Sequence, residues 1–180
     1  MDFELVAVKV EDGVVKVEDG SSRVGGKPNT IHEALVQAIM NDDVEMAKSL
    51  IDEGADVNLI GRNGSTPLFL AIHKNNIDMV KLLIKGGANV NLTDIHGNTP
   101  LIYSLREIEI DMTKLLIKGR TNVNLADIHG NTPLFKASQF NNIDLGELLL
   151  RAGARRGLPG PVTVWIDANP RLRFINMPGS

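Results

Sequence analysis

An eight-residue run, Asp94-Ile95-His96-Gly97-Asn98-Thr99-Pro100-Leu101, returns unchanged as Asp127-Ile128-His129-Gly130-Asn131-Thr132-Pro133-Leu134. A degraded copy, Gly61-Arg62-Asn63-Gly64-Ser65-Thr66-Pro67-Leu68, stands the same distance upstream, so the three runs begin at evenly spaced positions. Repetition at a fixed period within roughly 20–50 residues marks a solenoid. Each unit is one supersecondary element that cannot bury its apolar face alone, so the units must stack.

The residues inside one period give the unit its parts. Gly64, Gly97 and Gly130 suit a turn that needs positive φ. Thr-Pro, at 66–67, 99–100 and 132–133, suits a helix start, because the hydroxyl can cap and proline is tolerated in the first turn. The pattern predicts short first helices over 68–73, 101–106 and 134–139. Polar breaks follow at Asn75-Asn76 and Asn141-Asn142, with Ile108 at the equivalent place in between. Amphipathic second helices are predicted over 77–85, 110–118 and 143–151, the apolar positions Met79, Leu82 and Leu83 recurring at helical spacing. Gly86-Gly87 closes one of them in a left-handed cap. Arg120-Thr121 replaces the glycine-alanine pair in the next unit, which places arginine where positive φ costs about 1 kcal/mol.

With its turn, its Thr-Pro-Leu, its second helix ending Leu82-Leu83-Ile84 and its Gly87-Ala88-Asn89-Val90-Asn91, the unit resembles the ankyrin repeat. Leu50-Ile51 with Gly54-Ala55-Asp56-Val57-Asn58 is a further copy. The resemblance runs over 29–157, in four helix-turn-helix repeats at 29–60, 61–93, 94–126 and 127–157. Phe69, Ile102 and Phe135 stand where the family carries a histidine. The first repeat lacks the glycine turn and offers Glu33, Gln37, Asp42, Asp43, Glu45 and Lys48 for the polar outer face that a terminal repeat needs. What the resemblance implies is a non-enzymatic scaffold that binds a protein partner through the concave face formed by turn tips and first helices. Carried over by position, that face is Arg62, Asn63, Ser65, His73 and Lys74, then Ile95, His96, Asn98, Arg106 and Glu107, then Ile128, His129, Asn131, Gln139 and Phe140. Ile95, Arg106, Ile128 and Phe140 are the expected anchors, since a few side chains carry most of the energy of an interface. The face offers an ordinary interface of roughly 800 Å² per partner.

The flanks read differently. Over 1–28, Val8-Lys9-Val10-Glu11-Asp12-Gly13 nearly repeats as Val15-Lys16-Val17-Glu18-Asp19-Gly20, with period-two alternation around an Asp-Gly turn. This predicts a β-hairpin in which Val10 opposes Val15 and Val8 opposes Val17, followed by a linker. Over 158–180, Val162-Thr163-Val164-Trp165-Ile166 is strand-prone, Asp167-Ala168-Asn169-Pro170 is a turn cluster, and Arg171-Leu172-Arg173-Phe174-Ile175 alternates again. This predicts a second hairpin. The fold class expected is therefore a mainly α, ankyrin-repeat solenoid with β-hairpin extensions at both ends. Residues 1–20 carry six acids and two lysines, and residues 151–180 carry five arginines and one aspartate. Opposite charge makes a homodimer by exchange of terminal hairpins an alternative role, that of a self-assembling structural or adaptor protein.

Chemistry is sparse. The chain has no cysteine, which removes disulfides, thiolate ligands and cysteine nucleophiles. His96 and His129 sit one repeat apart, roughly 8–10 Å, whereas two ligands of one zinc each approach it to about 2 Å; exposed turn residues are the simpler reading. Asp94 and Asp127 are likewise a repeat apart, and an aspartate opening a turn hydrogen-bonds its local backbone. Gly25-Gly26-Lys27-Pro28 lacks the spacing of a phosphate loop. No cofactor, metal or catalytic group is expected. A formal net charge of −3 gives no bulk attraction to nucleic acid. The start, Met1-Asp2-Phe3-Glu4, has no basic region or long apolar run, and no stretch has the length of a membrane span. A cytoplasmic protein without membrane contact is the expectation.

Overall fold

A computed structural model describes residues 8–11, 14–17, 30–61, 64–105, 110–157 and 160–175. Helices α1 (Thr30–Met40) and α2 (Val44–Asp52) form the first pair, α3 (Pro67–His73) and α4 (Ile77–Lys85) the second, α5 (Pro100–Ser104) and α6 (Ile110–Lys118) the third, and α7 (Pro133–Gln139) and α8 (Ile143–Arg151) the fourth. First helices pack on first helices along the whole row, and α2 packs on α4 behind them. The core is a ladder of period-related side chains. Leu35, Leu68, Leu101 and Leu134 come from the first helices, and Met79, Leu83, Met112, Leu116 and Leu149 from the second; all are fully buried.

Local chemistry sets the boundaries. Pro67, Pro100 and Pro133 open their helices, where a missing N–H leaves nothing unpaired. Thr99 and Thr132 accept the amides of Ile102 and Phe135 at 3.1 and 3.2 Å. Thr66 makes no such cap, and its buried hydroxyl has no partner among the described residues. Between the helices of a pair, Asp42, Asn75 and Asn141 take φ of +58°, +53° and +49°, a region that short polar side chains tolerate. The next residue, Asp43, Asn76 or Asn142, then caps the second helix by accepting an amide three residues on. Residues 106–109, and Ile108 with them, lie outside the described residues, as do Asp12, Gly13 and residues 18–29, the expected linker among them. Gly54, Gly87 and Gly153 end their helices in the left-handed region. Arg120 does so as well, at φ +65°. The amide after it, Thr121 N–H, reaches Leu116 O at 3.3 Å, where the other three repeats close at 2.9 Å.

Strands β1 (Val8–Glu11) and β2 (Val14–Val17) are antiparallel, with Val8 opposite Val17 and Val10 opposite Val15. At the other end the expected C-terminal hairpin is not formed. Pro161–Ala168 is helix α9 and Pro170–Arg173 is helix α10, packed against α7 and α8. Strand propensity here yields to burial. The open end of the fourth repeat is apolar, and only a helix turns Val162, Trp165 and Ile166 onto it together. Ile166 and Leu172 are fully buried there, while Val164 is left outside, 68 % exposed. Proline begins each helix, and Asn169 bridges them by donating to Trp165 O at 2.6 Å. The Trp165 ring fills a notch that only a glycine, Gly146, leaves open, and its Nε1 donates to Asn141 Oδ1 at 2.9 Å.

The arginines of this segment fasten the cap. Arg156 donates to the carbonyls of Leu172, Arg173 and Ile175 at 3.2, 2.8 and 2.8 Å, closing the end of α10. Arg171 bridges Asp144 at 2.7 Å and Glu147 at 2.6 Å. Arg171, with Arg151 second, holds the Glu147 carboxyl below its ordinary range. The hairpin-exchange dimer therefore loses its C-terminal half. The segment is helical, and Arg156, Arg171 and Arg173 are spent inside the molecule.

Candidate partner-binding surface

The turn tips are held by a carboxylate clasp. Asp94 Oδ1 accepts the backbone N–H of His96 and of Asn98, both at 2.8 Å, and Oδ2 accepts the Asn98 side-chain amide at 2.9 Å. Asp127 does the same with His129 N, Asn131 N and Asn131 Nδ2 at 2.9, 2.9 and 3.0 Å. The clasp leaves the tip little freedom, and the main chain across its base is paired besides, Asp94 N to Asn98 O at 3.0 Å and Asp127 N to Asn131 O at 3.1 Å. Burial works against the charge on Asp127, whose side chain is only 4 % exposed. The amide of Asn131, the backbone N–H groups of Asn131 and His129, and Lys136 at 3.4 Å outweigh it and hold the carboxyl down at about 2.

The tips stack into one row. An atom added at the Cβ position of Gly64 would stand 2.9 Å from Ile95 N, and one at Gly97 would stand 2.8 Å from Ile128 N. Glycine is required at both for its positive φ and for this approach. Ile128 N also donates to His96 O at 3.3 Å. Below the tips a second ladder joins repeat to repeat. Asn58 donates to Gly87 O and accepts from Asn89 N. Asn91 accepts from Asn122 N and Thr121 Oγ1. Asn124 donates to Gly153 O and accepts from Arg155 N. The row is thus fixed by bonds that recur once per repeat. Ile95 and Ile128 project from it 60 % and 64 % exposed, beside exposed His96 and His129.

On the first helices, His73 is exposed, and its Nδ1 lies 3.0 Å from the hydroxyl of Tyr103. Phe69, in the place of the family's histidine, packs edge-on to Tyr103 at 5.7 Å between ring centres. Gln139 and Phe140 are exposed at the end of α7. Other expected contact residues are committed elsewhere. Lys74 donates to Met40 O at 2.6 Å and pairs with Asp42 at 3.0 Å, so it clamps the second repeat to the first. Asn76 and then Lys74 hold the Asp42 carboxyl below its ordinary value. Asn98 is buried and Asn131 half-buried, their amides spent on the clasp. Ser65 is half-buried. Arg62, Asn63, Arg106 and Glu107 lie outside the described residues. Tyr103 and Lys136 were not singled out from the sequence. Their signal was there: both stand at the period position of Leu70, where a polar group on a packed helix has to find a partner.

Among the described residues no group of three His, Asp or Glu side chains gathers where a metal ion could be held, and no helix is long and apolar enough to cross a membrane. A stack of helix pairs presenting one row of rigid turns is a helical-repeat scaffold whose distinctive surface is its tips. The chain belongs to the ankyrin-repeat family: the family model described as ankyrin repeats, in three copies, matches residues 23–94 and 80–157. No curated protein matches the chain. Ankyrin repeats are in general protein–protein interaction modules and typically not enzymes.

Proposed function

We propose that this protein binds a protein partner through the row of turn tips and the adjoining exposed ends of the first helices, with no chemical step. The observation that carries the reading is the pair Ile95 and Ile128, which recur at one period, 60 % and 64 % exposed on tips held rigid by the Asp94 and Asp127 clasps. Exposed aliphatic side chains that recur on a fixed loop row mark a contact surface. His73, His96, His129, Gln139 and Phe140 surround them as further contacts, with Phe140 as a third anchor. Rigidity matters because a preorganised surface loses little conformational entropy on binding. The test is the double variant Ile95→Ser, Ile128→Ser against the partner captured from a lysate. Two anchors at roughly 1.5–3 kcal/mol each predict affinity at least tenfold weaker with the unfolding midpoint nearly unchanged. Unaltered affinity would place the contact elsewhere, and a collapse of thermal stability would make the two residues structural.

A further inference from the structure

The cap lacks one part of a repeat. From the left-handed residue that ends a second helix to the proline that opens the next first helix, the chain runs the same length three times: Gly54 to Pro67, Gly87 to Pro100 and Arg120 to Pro133. From Gly153 to Pro161 it is shorter, and the part left out has the length of the tip Asp-Ile-His-Gly-Asn. Helices α9 and α10 therefore cover the helical layers of the fourth repeat, with Ile166 and Leu172 fully buried, yet among the described residues they bring no fifth tip to the row. The consequence is visible at the glycines. Gly64 is covered by Asp94 and Ile95, and Gly97 by Asp127 and Ile128, but among the described residues an atom added at Gly130 meets nothing within 4 Å. His96 O receives the N–H of Ile128, whereas His129 O, its counterpart, accepts no hydrogen bond among the described residues.

We infer that the seat over Gly130, open among the described residues, takes a turn segment of the protein partner bearing a β-branched aliphatic side chain, in the place a fifth tip would fill. The two occupied seats define the occupant. At Gly97 the guest is main chain that turns an N–H to His96 O and lays Ile128 Cγ2 over the glycine, which has no Cβ to push it away. At Gly64 the guest is again the main chain of an Asp-Ile step. A helix has no interior N–H free to give, and both natural guests are turns, with Ile95-His96 and Ile128-His129 at their centres, so the partner's segment is a turn that offers a free N–H. The seat continues the row of Ile95 and Ile128, so it lies beside the anchors of the partner-binding surface. This rests on the partner-binding reading above and specifies the chemistry of the partner at one end of it.

The test uses the full chain and a blocked peptide with the sequence of residues 124–132, Asn-Leu-Ala-Asp-Ile-His-Gly-Asn-Thr, which copies a natural guest. Titrated into the ¹⁵N-labelled protein, it is expected to shift the amides of 128–131 saturably. A peptide with Ser for Ile is expected to bind at least fivefold more weakly. So is the wild-type peptide with the Gly130→Asn variant, since asparagine tolerates the left-handed backbone but puts a side chain over the seat. The peptide comparison leaves the protein untouched, so a misfolded variant cannot decide the matter. Absence of shifts over 127–132, or equal binding by the Ser peptide, overturns the seat. Shifts confined to His73, Tyr103 and Gln139 also overturn it while leaving the partner-binding surface standing. That surface fails separately, if Ile95→Ser with Ile128→Ser leaves a captured partner's affinity unchanged.

Discussion

The second repeat has lost the clasp that the third and fourth keep, and restoring it should stabilise the protein. Gly61 stands in the place of Asp94 and Asp127, and Ser65 in the place of Asn98 and Asn131. The main-chain pair survives, Gly61 N to Ser65 O at 2.8 Å, but among the described residues no carboxylate closes the tip. The helix behind it shows the effect. Thr66, at φ −100°, makes no side-chain cap, while Thr99 and Thr132, at −76° and −79°, both cap. The double variant Gly61→Asp, Ser65→Asn supplies up to three hydrogen bonds to a carboxylate. At an exposed tip, where water competes for the carboxylate, each is worth about 0.5 kcal/mol, the low end of the range for ordinary intramolecular hydrogen bonds. Replacing glycine adds about 0.4–1 kcal/mol through the unfolded chain. A Cβ at 61 would approach Ser65 O at 3.3 Å, a contact that Asp94 and Asp127 accommodate beside the same main-chain pair. After that adjustment the expected gain is about 1–2 kcal/mol, or roughly 2–8 °C in Tm for a chain of this size. The assay is a double-mutant cycle by thermal and urea denaturation. Ser65→Asn alone should gain almost nothing, because its amide has no acceptor, and the coupling between the two should reach about 0.5 kcal/mol. A double variant no more stable than the parent, or one equal to the sum of its single changes, would show that the clasp does not hold the tips.

Three further outcomes are expected. Asp127→Asn should cost about 1–2 kcal/mol at neutral pH. A carboxyl held at about 2 against an ordinary 3.8 contributes stability that is full above the unfolded value and lost as pH falls through the folded one. Urea midpoints of parent and variant should therefore converge between pH 4 and about 2, and a constant gap would refute the assignment. Arg120→Gly should stabilise by about 0.5–1 kcal/mol in the same assay by relieving a φ of +65°; a loss would mean the arginine makes a contact that outweighs the strain. Gly146→Ala should push Trp165 from its notch, break the bond to Asn141 and cost about 1–3 kcal/mol. The fluorescence of this single tryptophan should shift to the red, and an unshifted spectrum would show that the ring is not seated there.

What the sequence discloses here is whatever the period repeats. Thr99-Pro100 and Thr132-Pro133 open helices because cap and proline chemistry is local, and it reads the same in any neighbourhood. The left-handed Arg120 is legible for the same reason: three glycines at its register state the backbone it has to adopt. The contact surface is only half legible. Period position marks Ile95, His96 and Asn98 as equal members of one tip, but whether a side chain faces a partner or its own turn depends on the aspartate that opens the turn. Asn98 and Asn131 turn inward because Asp94 and Asp127 need donors, and Lys74 turns away because Met40 O and Asp42 claim it.

The C-terminal segment is where local reading fails. Valine, tryptophan and isoleucine in succession favour a strand when nothing else acts on them, and alternation in 171–175 agrees. Neither signal contains the fact that decides the outcome, which is the uncovered apolar end of α7 and α8. That end belongs to an earlier part of the chain and exists only once four repeats have stacked. It selects the one conformation that brings Val162, Trp165, Ile166, Leu172 and Ile175 against it together. The sequence does hold a trace of this. Gly146 occupies a helix interior, where glycine costs about 1 kcal/mol relative to alanine, and the equivalent positions of the earlier repeats hold Ala47, Val80 and Thr113. A helix keeps so unfavourable a residue when something large has to approach it, and the chain holds a single tryptophan to do so.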